Sequence, residues 1–252
     1  MSIHSRRKWM KAGLGAAAGV SGLAAVSNIA GRYGLIPPDG GGLYGPGETL
    51  TYAAHRLLGR DSMAREFPRS QISAVAFANG TPLQDATYKR HRAEGFAGWQ
   101  LQIDGMVAKP ASLSLAEVKA FPSHSHITHL ACEEGWSYIA EWKGVQLSRI
   151  LEAVGIAPQA RYVVYVSHEP GWWDSLDMAD ALHPQTLIAY GLNGGDLPVG
   201  NGGPLRMRVP RQLGYKNVKY ITRLTVTDNV KSFGKGLGSA APEGGYAWYA
   251  GI

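Results

Sequence analysis

Short apolar runs closed by turns dominate the chain, and no long helical periodicity runs through it. Trp99, Leu101 and Ile103 alternate with Gln100 and Gln102 and stop at Asp104-Gly105, which predicts a half-buried strand. Ser114-Leu115-Ala116-Glu117 has capping-box spacing and opens a short helix that ends before Pro122. His124 to Ala131 alternates loosely and reads as a strand. Val145, Leu147, Ile150, Leu151 and Val154 are helically spaced, with Gly155 placed as the C-cap. Tyr162 to Val166 is a continuous apolar run, the pattern of a buried strand. A turn or two of helix is expected over Asp177 to Leu182. Further strands are expected at Thr186–Tyr190, Leu205–Val209 and Tyr220–Val226. Residues 31–50 are Gly/Pro-rich and read as extended, with a short helix at 49–60; Asn79-Gly80-Thr81-Pro82 is a turn. Short strands mixed with short helices predict an α+β domain, not a doubly wound sheet.

Composition adds little until the first thirty residues are set apart. Ser5-Arg6-Arg7-Lys8-Trp9-Met10-Lys11 is followed by Ala12 to Ala30, an uncharged Gly/Ala-rich run. A basic start before a short apolar stretch is an export signal, and the paired arginines make it a twin-arginine one. A membrane anchor is the competing reading, so an uncleaved leader would leave a tether. Of the 25 basic residues, Arg6, Arg7, Lys8 and Lys11 lie in this leader with none of the 19 acidic ones, so the formal charge of +6 becomes +2 without it. Excess charge therefore gives no support to a nucleic-acid partner. No glycine run follows a predicted strand as a Rossmann fingerprint requires, and no Walker motif occurs in the sequence.

The single cysteine, Cys132, excludes an intramolecular disulfide and any all-cysteine cluster site within one chain. It follows the strand ending at Ala131 and precedes Glu133-Glu134-Gly135-Trp136. A buried, inert free cysteine is one reading. The other is a soft donor, on a tight loop, for a late or soft metal or for an electrophile. His124 and His126 share one strand face and His129 takes the other, so the three do not converge; solvated strand histidines are the simpler expectation.

Four ordered segments carry a resemblance. They are Cys132-Glu-Glu-Gly-Trp-Ser…Trp142-Lys-Gly-Val-Gln-Leu, Tyr162-Val-Val-Tyr-Val-Ser167, Leu187-Ile-Ala-Tyr190-Gly-Leu-Asn193-Gly, and Gly202-Gly-Pro-Leu-Arg206…Leu213-Gly-Tyr-Lys216-Asn-Val-Lys219-Tyr. Across about 63–230 the chain resembles the molybdopterin-binding domain of the sulfite oxidase superfamily, nearest its exported bacterial branch of the periplasmic methionine sulfoxide reductase catalytic subunit type. The resemblance implies three parts: a twin-arginine signal at 1–30, an extended N-terminal segment at 31–60, and a molybdopterin-binding catalytic domain at 61–252 with no C-terminal immunoglobulin-like domain. It implies molybdenum ligated by Cys132 beside the dithiolene sulfurs of one molybdopterin, and a proton relay at Glu134. By position it also assigns cofactor contacts to Asn79, Ser167, Asn201, Arg206, Asn217, Val218 and Lys219. The donor types agree, since a pterin needs amide-type partners and a phosphate needs Arg, Lys and backbone N–H groups.

Departures shape the expected activity. Glu133 and Glu134 follow the cysteine where the sulfite-oxidising branch has basic residues, Phe77-Ala-Asn-Gly-Thr81 replaces an Asn-Asn-x-Tyr-Glu loop, and Leu130-Ala131 stand where short relatives carry His-Asp. The expectation is a periplasmic oxidoreductase that carries out two-electron oxygen-atom transfer on a small-molecule substrate, reducing an S- or N-oxide. With no Cys-x-x-Cys-His motif for haem, electrons would come from a membrane haem or quinol-linked subunit. Sulfite oxidation, a cofactor-free binding module of the same fold, and a thiol-dependent hydrolase are the alternatives.

Overall fold

The computed structural model describes residues 30, 31 and 34–252, so the leader read at 1–30 lies, but for its last residue, outside the described residues. In chain order the helices are α1 (Gly45–Leu58), α2 (Ala86–Ala93), α3 (Leu115–Ala120), α4 (Leu147–Val154), α5 (Met178–Ala181) and α6 (Ala240–Glu243). The strands are β1 (Gln100–Gly105), β2 (Ala111–Ser114), β3 (Ser123–Ala131), β4 (Ser137–Gln146), β5 (Tyr162–Ser167), β6 (Trp173–Asp177), β7 (Leu187–Leu192), β8 (Gly195–Asp196), β9 (Arg206–Arg208) and β10 (Ile221–Thr227). One sheet runs β2-β1-β10-β5-β6, and the other β3-β4-β7-β8 with β9 also on β7. Only the β1–β10 pair is parallel. The α+β class expected from the sequence is the one observed, and among the described residues no strand lies outside these sheets as a separate sandwich.

The alternation read at 99–103 puts Trp99, Leu101 and Ile103 into the main core, where they meet Val163 and Tyr165 of β5 and Leu224 and Val226 of β10. Helix α4 supplies Leu147, Ile150, Leu151 and Val154 to the same core. Each such side chain contributes about 1.5–3 kcal/mol of burial. Gly155 closes α4 in a left-handed conformation at φ 68°, its amide reaching Leu151 and Glu152 carbonyls, as the C-cap reading required. The capping box at Ser114 and Glu117 is formed.

Four differences from the sequence reading have physical causes. Val145 belongs to β4, which runs into α4 without a loop, so its apparent helical spacing is a coincidence of the junction. Residues 31–60 are not extended throughout, because α1 starts at Gly45, just after a 3₁₀ turn at Gly42–Tyr44. Its tyrosine Tyr52 packs with Tyr162, Val164, Trp248 and Tyr249 on the outer face of the first sheet. The Gly- and Tyr-rich tail folds back there, burying Trp248 and Tyr249. Finally, His126 is buried, not solvated: its Nε2 lies 2.9 Å from the Gln185 carbonyl and its Nδ1 3.2 Å from the Thr128 hydroxyl.

Candidate active site

Strand β3 ends at Ala131 and delivers Cys132 into a tight turn. The Cys132 amide donates to the Trp136 carbonyl at 3.0 Å and the Gly135 amide to the Cys132 carbonyl at 3.1 Å. Gly135 sits at φ 90°, a conformation that favours glycine. The thiol is half-buried at the bottom of a cleft of about 260 Å³, and Gly214 presses against it. A Cβ at Gly214 would lie 2.9 Å from Sγ and 3.2 Å from the Cys132 Cα, so only glycine leaves room for the cysteine where it stands.

Eight of the nine residues singled out in the sequence line this one cleft: Cys132, Glu134, Asn79, Ser167, Arg206, Asn217, Val218 and Lys219. They come from the 79–81 turn, the ends of β3 and β5, strand β9 and the 214–220 loop, which the two sheets bring to a common edge. Asn201 does not line it. It is buried, donates to the Ala76 and Phe77 carbonyls at 3.3 and 3.4 Å, and accepts Arg206 on its own carbonyl at 3.0 Å, so it ties the 76–79 segment to Arg206. The Asn217 side chain is likewise committed to the protein. Its Oδ1 accepts from Arg208 and the Val209 amide, its Nδ2 donates to the Leu213 carbonyl, and its backbone carbonyl receives Arg206 Nε. Asn217 therefore shapes the loop that carries Gly214. Lys219 Nζ donates to the carbonyls of Asn79 and Gly200, joining the two walls of the cleft.

Sequence reading missed the aromatic and acidic rim. Trp136 lines the cleft, and its indole N–H donates to Glu134 Oε2 at 2.7 Å, so Glu134 is held in place by its neighbour two residues on. Trp136 is followed along one face of β4 by Tyr138 and the buried Trp142, stacked at 6.1 and 6.2 Å, and the guanidiniums of Arg206 and Arg208 lie over Trp142 at 5.5 and 5.1 Å. The period-two spacing of Trp136, Tyr138 and Trp142 was the available signal. Trp172, Tyr215 and Glu169 complete the wall with no pattern to announce them.

Cations and a raised thiol share the cleft and its surroundings. Arg206 and Arg208 are buried and Lys219 is half-buried, and among the described residues none of the three pairs with a carboxylate. Desolvation, then the neighbouring Arg206, pulls Lys219 down to about 8, and desolvation followed by Arg206 brings Arg208 to about 9. Unpaired buried cations are costly alone and become favourable when an anion arrives. Burial and then the hydrogen bond to Glu133 Oε2, at 3.0 Å, push the Cys132 thiol up to about 12. Such a thiol is protonated at neutral pH unless a metal takes the proton's place.

This donor set fits a molybdopterin. Among the described residues no three His, Cys, Asp or Glu side chains converge as a metal site, so a metal on Cys132 needs its remaining ligands from outside the protein. The uncompensated Arg206 and Lys219 suit the anionic end of an organic cofactor. The family model for the oxidoreductase molybdopterin binding domain matches residues 88–233. The chain belongs to that family. It is accordingly an oxidoreductase that uses a molybdopterin cofactor carrying molybdenum.

Similar proteins agree. A putative protein-methionine-sulfoxide reductase subunit, YedZ1, of Azospira oryzae is 37% identical over 155 residues, 62% of this chain and 56% of the relative. The protein-methionine-sulfoxide reductase catalytic subunit MsrP of Xanthomonas axonopodis pv. citri is 35% identical over 147 residues, 52% of this chain and 46% of the relative. The chain thus spans about half the length of these curated relatives. The sulfane dehydrogenase SoxCD of Paracoccus pantotrophus superposes with a TM-score of 0.50 at 23% identity, covering 53% of this chain and 39% of that one, which shows a shared fold over that part.

Proposed function

We propose that this chain is an exported molybdenum oxidoreductase that reduces a small S- or N-oxide, with Cys132 as the one protein ligand to the metal. The observation that carries the proposal is the lone thiol in a cleft that is also lined by Arg206 and Lys219, two cations with no carboxylate partner among the described residues. When bound, the cofactor supplies two-electron exchange at a centre that can give or take an oxygen ligand.

The protein's own residues do the rest. Cys132 offers a soft sulfur from a turn immobilised by Gly135 and Gly214. Arg206 and Lys219 draw in the anionic end of the cofactor, while Ser167 and the 79–81 backbone offer neutral donors and acceptors beside them. Reducing a sulfoxide consumes two protons as well as two electrons and releases water. Glu134, fixed by Trp136 and open to solvent, is the group that carries protons to the reacting oxygen. Electrons arrive from a membrane haem or quinol-linked subunit, and the twin-arginine leader takes the folded chain to the periplasm.

Two relatives named as protein-methionine-sulfoxide reductase proteins support the direction of the reaction. The alternatives lose ground on geometry. No histidine lines the cleft among the described residues, and the high thiol pKa opposes nucleophilic attack, so the thiol hydrolase lacks its base and its thiolate. Glu133 and Glu134, in the cleft beside Cys132, repel a sulfite anion. The test is turnover of cofactor-loaded protein with a reduced dye and methionine sulfoxide or an amine N-oxide, against sulfite with an oxidised dye. Oxide reduction is expected; sulfite oxidation as the only activity would contradict the proposal.

A further inference from the structure

Helix α1 is inside out. The side chains it buries are Glu48, Tyr52 and Arg56, one per turn. Tyr52 and Arg56 reach Asp177, and Arg56 also pairs with buried Asp180. The side it turns to solvent is Pro46, Gly47, Leu50, Thr51, Ala54, Leu57 and Leu58, without one charge. Leu43, just ahead of the helix, is 84% exposed, and Leu50, Leu57 and Leu58 are 69%, 67% and 88% exposed. Single exposed leucines are ordinary, but three on one uncharged helix face, continued by Leu43 in the turn before it, mark a contact surface.

Two features beside the ridge identify its occupant. Arg60 and Arg161 line a cavity of about 600 Å³ together with Leu57 and with Gly34 and Leu35 of the incoming chain. Arg161 also donates to the Gly31 carbonyl at 3.4 Å. Gly31, Gly34 and Leu35 therefore lie beside Leu57 of the leucine ridge, on the side where the cations stand. Apolar ridge and cationic rim meet in one place.

We propose that α1 rests on a bilayer of anionic phospholipid, its leucine ridge in the boundary between headgroups and acyl chains and Arg60 and Arg161 against headgroup phosphates. This is an interfacial contact, since no helix among the described residues is long and apolar enough to cross a membrane. It would hold the cleft at a fixed distance from a membrane electron donor.

The test reads the face itself, because the leader alone could carry the chain onto vesicles. Full-length protein carrying Cys132→Ser and Ala54→Cys takes a nitroxide label at position 54, and its collisions with a water-soluble nickel chelate are measured. On phosphatidylglycerol-containing vesicles the accessibility should fall roughly fivefold or more, as for a buried interfacial helix. Adding Leu50→Glu with Leu57→Glu should abolish that protection while leaving the thermal transition in place, both leucines being exposed. A label as accessible on vesicles as in solution overturns the proposal, as does protection unchanged by the glutamates. Equal protection on purely zwitterionic vesicles overturns the anionic assignment. Protection found only in membranes that contain proteins replaces lipid with a protein partner.

Discussion

Gly214→Ala tests whether the position of Cys132 is set as tightly as the geometry says. The added Cβ would lie 2.9 Å from Sγ, 3.1 Å from the Cys132 Cβ and 3.2 Å from its Cα. Non-bonded carbon atoms settle at about 3.5–4.0 Å, so the cysteine or the 214 loop must retreat by roughly 0.5–1 Å. The loop has little freedom, since the Asn217 amide donates to the Gly214 carbonyl and the Asn217 side chain holds Leu213. Gly214 is not at a positive φ, so the alanine costs nothing through its own backbone and the penalty is the contact alone. Overpacking of this kind costs about 1–3 kcal/mol, and a domain of this size loses roughly 2–4 °C of Tm per kcal/mol. Displacement of a reacting group by about 1 Å lowers turnover by roughly a hundredfold. The assay is kcat per bound molybdenum, alongside the melting temperature. A variant with wild-type kcat and Tm refutes the packing argument. One that melts earlier yet turns over normally shows that the exact place of the sulfur does not matter.

Three further outcomes follow from the structure. Burial, then Arg208, lowers His126 to about 4, so it folds as the neutral ring. Its contribution is complete above the unfolded value near 6.5 and is lost as pH falls from there towards 4, a loss of about 3 kcal/mol that urea titrations across this window should show and His126→Gln should remove. Glu134→Gln should lower kcat about a hundredfold while leaving molybdenum content unchanged, with a smaller loss for Trp136→Phe, which frees the carboxylate; unaltered turnover in Glu134→Gln removes it from proton delivery. Arg56→Ala removes the buried guanidinium that Asp177 and Asp180 share, leaving Tyr52 on Asp177 and Gln212 with a 3.8 Å Arg211 on Asp180, and should cost about 3 kcal/mol in denaturant unfolding, more than a surface ion pair.

Elements whose pattern matches their environment could be read from the sequence. β1 alternates because one face is buried, and β5 is apolar throughout because both of its faces are covered, by the main core and by Tyr52 and Trp248. Helix α4 has an apolar stripe and a glycine at its cap. Helix α1 was legible as the short helix at 49–60, but its early start at Gly45 and its buried face were not, because its polar residues face inward and its leucines outward, the reverse of the usual rule. β4 was obscured because the pairing with β7 shifts register between Lys143 and Gly144, where the Ile188 carbonyl comes too close for any Cβ, and the strand passes straight into α4. The cleft residues were found through motif order, which marks positions but not roles. Nothing in the order shows that Asn201 and Asn217 spend their amides on the protein, or that Gly214 fixes the cysteine.

The central claim is a molybdenum atom bound through Cys132, and X-ray absorption at the molybdenum edge measures that directly. Cofactor-loaded protein should carry one molybdenum per chain, and Cys132→Ser should show one fewer sulfur neighbour and lose turnover. Stoichiometric zinc or iron without molybdenum, or an unchanged sulfur shell in Cys132→Ser, would contradict the account.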